Sequence, residues 1–201
     1  MFGKSKLPTE EMIALRAADD NAGALKLALC YMEKTNKSLE KHDPDFLLQT
    51  AKLYFEIDKN ELKAIDGYEN HTANIMAVHP EMKHTGTPAL NACMILIEKI
   101  PDNYIRYCDV LLLRGRCYLN AGEFDDAEQH FDTIISKCSQ IVSLIETVVN
   151  AKKRTKFTVG KSLQMAVGMI RAYGEDRTKE EVELLVQTAL AHKGLITYAR
   201  D

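Results

Sequence analysis

The sequence has no charge excess of either sign, no long apolar run and no segment in which apolar and polar residues alternate. Its 201 residues include 26 basic and 29 acidic side chains, which gives a formal net charge of -3. This balance excludes a global field that would attract the protein to nucleic acid or anionic lipid. No run approaches the roughly 18 apolar residues of a membrane span, and the N-terminal lysines precede no apolar segment. We expect a soluble, cytoplasmic protein without a transmembrane segment.

The spacing of the apolar residues predicts helices instead of strands. Apolar side chains make up 46% of the chain, enough for a real core, and recur every three or four positions. We predict an all-α fold of about nine antiparallel helices joined by short turns. The predicted helices begin at Pro8 and near Asn21, then cover 44–58 with Asp43 as the cap, 60–78, 88–101 restarted by Thr87 and Pro88, and 102–122 with Asp102 as the cap. A helix of about 40 Å is predicted after Gly122, followed by 159–173 and a helix capped by Thr178.

Cysteine is present in an odd number, and each residue lies within an apolar helical pattern. This pattern favours reduced thiols in the core of a cytosolic protein, with disulfides as the alternative. The five residues are Cys30, Cys93, Cys108, Cys117 and Cys138.

The most tightly specified stretch is LLRGRCYLNAGEFDDAEQHF, residues 112–131. Gly122 can adopt the left-handed conformation that ends a helix. Gly115 has no side chain, so it lets the following helix approach closely, with Ala127 as the small residue facing it. Tyr118 is expected to lie between the two helices, and Phe131 to close the core one turn later.

These residues resemble one repeat of the tetratricopeptide family, a helix-turn-helix unit of 34 residues. The resemblance covers 108–140, about a sixth of the chain, and departs from the family pattern at Arg114 and Ser139. A single repeat needs stacked neighbours to bury its apolar face, so further copies are expected. Two weaker copies are visible in the sequence. One copy consists of Leu47, Ala51, Tyr54, Ala64 and Tyr68, and a partial copy of Ala89, Cys93 and Pro101.

The resemblance implies one irregular helical-repeat domain over residues 1–201. Within it we expect a flexible N-terminus at 1–7 and a basic linker at 154–157. The last helices are expected to form an atypical cap at the C-terminal end of the repeat array.

Motifs for catalysis or cofactor binding are weak. The triplet GKS occurs at Gly3 and Gly160 without the upstream glycine and strand of a phosphate loop. His79 and His84 are spaced too irregularly for two zinc ligands on one helix face, and His71 lies in a different element. Acidic residues at 123–128 fit the first turn of a helix, where the backbone dipole favours carboxylates. We predict no catalytic residue, no metal site, no cofactor and no small-molecule substrate.

The resemblance also implies a groove lined by the first helix of each repeat. Lys52 and Arg116 fall at equivalent positions, each with a leucine one turn earlier, which would suit an acidic, apolar peptide. Packing against a neighbouring helix, or simple exposure to solvent, is the alternative. The predicted groove consists of Asp45, Leu48, Lys52, Phe55, Glu56, Asp109, Leu112, Arg116, Leu119 and Asn120.

The family's carboxylate clamp is not supported, because leucine occupies its lysine position and a basic residue its asparagine position. The sequence therefore predicts a non-catalytic adaptor, scaffold or assembly subunit that binds a protein partner, either a peptide segment or other subunits, or a chaperone of secreted proteins. The alternative is a helical regulator that contacts nucleic acid or anionic membrane through the basic segment 152–156, whose sequence is KKRTK. An enzyme would instead hold one of His71, His79 and His84 in a deep pocket with carboxylates.

Overall fold

The computed structural model describes residues 7–57, 59–78, 86–154 and 178–200, without the side chains of 59 and 147–154. This part of the chain is helical and contains no strand, which confirms the predicted all-α class. The helices are α1 Thr9–Ala17, α2 Asn21–Thr35, α3 Pro44–Glu56, α4 Lys59–Ala64, α5 Tyr68–Ala77, α6 Pro88–Glu98, α7 Tyr107–Ala121, α8 Phe124–Arg154 and α9 Lys179–Arg200. None of them is long and apolar enough to cross a membrane.

The chain divides into two compact units, Met1–Pro101 and Asp102–Asp201. The single repeat domain expected over 1–201 stays a prediction. The expected flexible N-terminus, the basic linker and the helix at 159–173 lie almost wholly outside the described residues.

Helix starts agree with the predicted caps. The Asp43 carboxylate accepts hydrogen bonds from the amides of residues 45 and 46 at 2.9 and 3.4 Å. Thr87 Oγ1 accepts from the amide of Leu90 at 3.3 Å. Thr178 and Glu181 form a reciprocal capping box, with bonds of 2.7 and 3.3 Å. Each cap satisfies amides that have no partner within their own helix.

Two predicted boundaries are wrong. The helix predicted over 60–78 is broken into α4 and α5, because Gly67 takes a left-handed conformation with φ 74° that a continuing helix cannot accommodate. The helix predicted from Asp102 begins only at Tyr107, whose amide donates to Tyr104 O at 3.0 Å in a preceding turn. The polar residues after Pro101 favour turns over helix, so Asp102 does not act as the cap.

Helix α6 is the central element of the first unit. Its residues from Asn91 to Ile97 are all buried, so the helix is enclosed on every side. It packs against α3 and α5, and α3 in turn packs against α1 and α2. On α3 the expected apolar face is buried at Leu47, Ala51 and Tyr54.

The second unit is built from α7, α8 and α9. Helix α8 is a single helix of 31 residues, as predicted after Gly122, and α9 runs antiparallel to it, since Lys193 contacts Asp132 and Lys179 contacts Glu146. Helix α9 also packs against α7. The shared core consists of Cys108, Leu111, Ala127, Phe131, Ile134, Cys138, Ile141, Val182, Leu185, Ala189 and Ile196.

Gly115 sets how closely α7 and α8 approach. A Cβ atom on this residue would lie 2.7 Å from Cε1 of Phe131 and 3.0 Å from its Cζ. The atoms nearest to this position belong to the Phe131 ring, one turn beyond the predicted neighbour Ala127, which is buried in the same core. Tyr118 is half-buried and stacks on His130, with ring centroids 5.4 Å apart.

Three histidines are held in partly or wholly apolar surroundings. His42 is buried between the rings of Tyr31 and Phe46, and neither of its nitrogens makes a well-formed hydrogen bond to the described part of the chain. Burial is the main cause that lowers the pKa of His42, and likewise that of His130 and His192. The folded state therefore favours the neutral imidazole.

The Gly115 contact predicts a loss of stability in the Gly115→Ala variant. The added methyl group must displace the Phe131 ring, and overpacking of this kind costs roughly 1–3 kcal/mol of unfolding free energy. Gly194→Ala in α9 is the control, since its Cβ would meet nothing within 4 Å. That variant should gain up to about 1 kcal/mol from helix propensity. Equal gains in both variants, measured by denaturant unfolding, would mean that α7 and α8 do not meet at Gly115.

The cysteines differ in exposure, which corrects the expectation that all five are core thiols. Cys30 is exposed on α2, whereas the other four are buried. The Sγ atoms of Cys108 and Cys138 are 4.0 Å apart. We expect an aromatic disulfide reagent to modify one thiol quickly in the native protein and four only on unfolding. Cys30→Ser should abolish the fast phase, and a fast phase that survives would contradict this assignment.

The lowered pKa values of His42, His130 and His192 predict that the folded protein loses stability in acid. The unfolded state binds a proton at each histidine near pH 6.5, whereas the folded state binds it only at lower pH. The unfolding free energy should therefore fall as the pH drops below about 6.5, until the folded pKa is passed.

His42→Phe keeps the aromatic packing and removes one of these groups. The drop in unfolding free energy between about pH 7.5 and about pH 5 should be smaller in this variant than in the parent. Tyr31→Phe is the control and should keep the full drop. An unchanged drop in His42→Phe would show that His42 does not contribute.

Candidate functional site

The predicted groove residues on α3 differ in accessibility. Leu48 is fully buried, so it is a core residue that a partner cannot reach. Asp45 and Glu56 are exposed, and Lys52 and Phe55 are half-buried. The role of these four in binding stays a prediction.

Glu56 is held by an arginine from another helix. Arg16 of α1 extends one guanidinium nitrogen to Glu56 Oε2 at 2.5 Å and the other to Gln49 Oε1 at 2.6 Å. Arg16 therefore fixes the C-terminal end of α3 against α1. No local sequence pattern predicts this bridge, because the partners are 33 and 40 positions apart.

On α7 most of the predicted groove residues are engaged within the second unit. Leu112 and Leu119 pack against its apolar core. Asp109 is buried and accepts a hydrogen bond from Arg106 Nε at 2.8 Å. Arg116 is half-buried, and Asn120 is exposed. The alternative reading, in which groove positions pack against a neighbouring helix, therefore holds for the two leucines.

Helix α9 lies close to the part of α7 that carries Arg116. His192 of α9 contacts the Phe131 ring edge-on, with centroids 5.3 Å apart. Burial is the main cause that lowers the pKa of His192, and the charge of Arg116 is the further cause. The groove predicted from the sequence did not take the packing of α9 against α7 into account. The signal was present in the apolar spacing of Val182, Leu185 and Ala189.

Ion pairs join α9 to the start of α8. Lys193 contacts Asp132 at 2.6 Å and Glu128 at 3.3 Å, while Arg200 contacts Glu128 at 2.9 Å and also Asp125. Hydrogen bonds from Arg200 and Lys193 lower the pKa of Glu128, and the bond to Asp132 raises that of Lys193. Exposed pairs contribute little stability individually, but together they favour one register of α9 on α8.

A concave surface lies in the first unit, between α2 and α5. This α2–α5 cleft has a volume of about 620 Å³ and contains His71, whose Nε2 is 3.9 Å from Glu33 Oε2. Asp66 lines it as well, so one of the three histidines considered for an enzyme does share a cleft with carboxylates. Among the described residues, no group of three or more potential ligands could hold a metal ion.

Several sequence features fall outside the described residues. These are His79, His84, both GKS triplets, and residues 155 and 156 of the basic segment, while the side chains of 152–154 are also not described. Their predicted roles stay predictions.

Comparison with known proteins identifies one family. Residues 109–140 match the sequence model of the tetratricopeptide repeat, which corresponds to α7 from its first turn and the first half of α8. Searches of curated proteins and of solved structures found no match. The match confirms the single strong repeat expected near 108–140, and this repeat supports a general role in protein–protein interaction.

Proposed function

We propose that this protein is a non-catalytic adaptor, scaffold or assembly subunit that binds a protein partner through its helical faces. The observation that carries the proposal is the tetratricopeptide repeat at 109–140, which coincides with the α7–α8 hairpin. Helix α9 extends this hairpin by packing along α8 and α7. Stacking of successive helices is the way in which such repeats form extended binding surfaces.

The partner-binding residues proposed here are the accessible members of the predicted groove. In the first unit they are Asp45, Lys52, Phe55 and Glu56, and in the second unit Arg116 and Asn120. Lysine and arginine would attract an acidic segment, and Phe55 offers apolar contact area. A peptide segment with acidic and apolar residues fits this combination best.

The proposed residues of each unit would serve either a fixed assembly or a chaperone of secreted proteins. A fixed subunit should retain one partner in constant proportion. A chaperone should retain many different sequences, each more weakly. Affinity capture followed by mass spectrometry separates these two versions of the proposal.

The proposal predicts that Lys52→Glu combined with Arg116→Glu weakens capture of the partner at least tenfold, which requires about 1.4 kcal/mol at the interface. Partly exposed charges contribute little to folding, so circular dichroism and thermal melting should change only slightly. The measurement is the amount of each partner recovered from the native source, quantified against the parent protein.

The matched control reverses two cations in the basic segment, Lys152→Glu and Lys153→Glu. Under the adaptor proposal this control recovers nearly as much partner as the parent. If instead the control abolishes capture while the groove variant does not, and binding weakens steeply with salt, the basic-segment alternative replaces the groove.

A further inference from the structure

The α2–α5 cleft has two walls of different chemistry. From α2, Lys26, Cys30 and Glu33 follow one another at helical spacing along its edge, and Lys37 lies just beyond the end of the helix. The α5 side contributes Asp66, Asn70 and Asn74, each four positions after the one before. Asn36, at the end of α2, adds one more carboxamide. All of these side chains are exposed. The walls of the cleft are therefore mainly polar, and three of their residues carry carboxamides.

The floor of the cleft is apolar. It consists of Leu29, Leu39, Ile65 and Ile75, whose exposed fractions are between 2% and 6%. Partly exposed Met32 and Val78 extend it. A concave surface with an apolar floor and a few convergent polar groups is the usual composition of a ligand site.

We propose that the α2–α5 cleft binds an extended peptide segment whose alternate side chains are aliphatic. An extended backbone has unpaired amide and carbonyl groups, and a carboxamide can both donate to and accept from them. Asn36, Asn70 and Asn74 supply three such groups on the walls. Alternate side chains of an extended segment point the same way, so aliphatic residues two positions apart reach the floor together.

A helical ligand fits this cleft less well. The backbone of a helix is already hydrogen-bonded internally, so a rim of carboxamides offers it nothing. The charges also favour a segment of low net charge, since Lys26 and Lys37 are balanced by Glu33 and Asp66. This distinguishes the cleft from the predicted groove, for which an acidic segment is proposed.

The dimensions set the length of the segment. Lys26 and Asn36 are ten positions apart along α2, which corresponds to about 15 Å at the helical rise. At roughly 3.3 Å per residue, an extended segment of about five residues spans this distance. His71, half-buried beside Glu33, lies within the cleft and would limit the size of the central side chain.

Cys30 allows the proposal to be tested without a known ligand. It is the exposed thiol at the edge of the cleft, and the other four are buried. Capped peptides of about five residues plus a terminal cysteine, supplied as a disulfide with a small thiol, would be equilibrated with the protein and an excess of that small thiol, so that the Cys30 thiolate attacks the peptide disulfide and the small thiol leaves. Intact mass measures the fraction trapped as a mixed disulfide with Cys30, since exchange selects the peptides that also bind non-covalently.

Three peptides make the comparison: one with leucine at alternate positions, one of glycine and serine, and one of about fifteen residues with leucine at helical spacing, since shorter peptides do not hold a helix in water. We expect the alternating peptide to be trapped at least tenfold more than either of the others. Asn70→Ala combined with Asn74→Ala should remove most of this preference. Both residues are exposed on α5, and alanine favours helix, so folding should persist, as thermal melting would verify.

Gln187→Ala, an exposed carboxamide on α9, is the matched control and should keep the full preference. Equal trapping of all three peptides would show thiol reactivity alone and would overturn the proposal. Preference for the helical peptide would overturn the extended mode. The variant that reverses Lys52 and Arg116 should still trap the alternating peptide, so failure of the groove and failure of the cleft are distinguishable.

Discussion

The close contact between Gly115 and the Phe131 ring is the constraint on which the second unit depends. Only a residue without a side chain leaves room for the ring at this distance. With the ring in place, α8 follows α7 closely enough for Ala127 and Ile134 to join one buried core. Since α9 packs on the same two helices, its position also depends on this contact. The residues of this contact lie within the segment that matches the tetratricopeptide repeat.

Local signals in the sequence predicted the elements well. The caps at Asp43, Thr87 and Thr178 and the left-handed turn at Gly122 were predicted correctly, because each depends on residues within one or two turns of the same helix. The break at Gly67 was missed for a related reason. A glycine within a helical pattern can either remain helical or take a left-handed conformation, and tertiary packing decides between them.

Surfaces were predicted less well, because they depend on which helices become neighbours. The groove assignment took Leu48 as accessible, whereas packing in the first unit buries it. It also overlooked α9, which begins at Lys179, 57 positions after Gly122, and which packs against α7. The α2–α5 cleft was not predicted at all, since it arises from two helices that are separated along the chain. The family pattern specifies contacts inside a repeat and leaves such neighbours open.

Contact of a protein partner with the accessible faces of α3 and α7 can be measured by covalent labelling of lysines, compared between the protein alone and the complex with its captured partner. We expect labelling of Lys52 to fall in the complex, while Lys152 and Lys153 are labelled as before. Protection of Lys152 and Lys153 with unchanged labelling of Lys52 would contradict it.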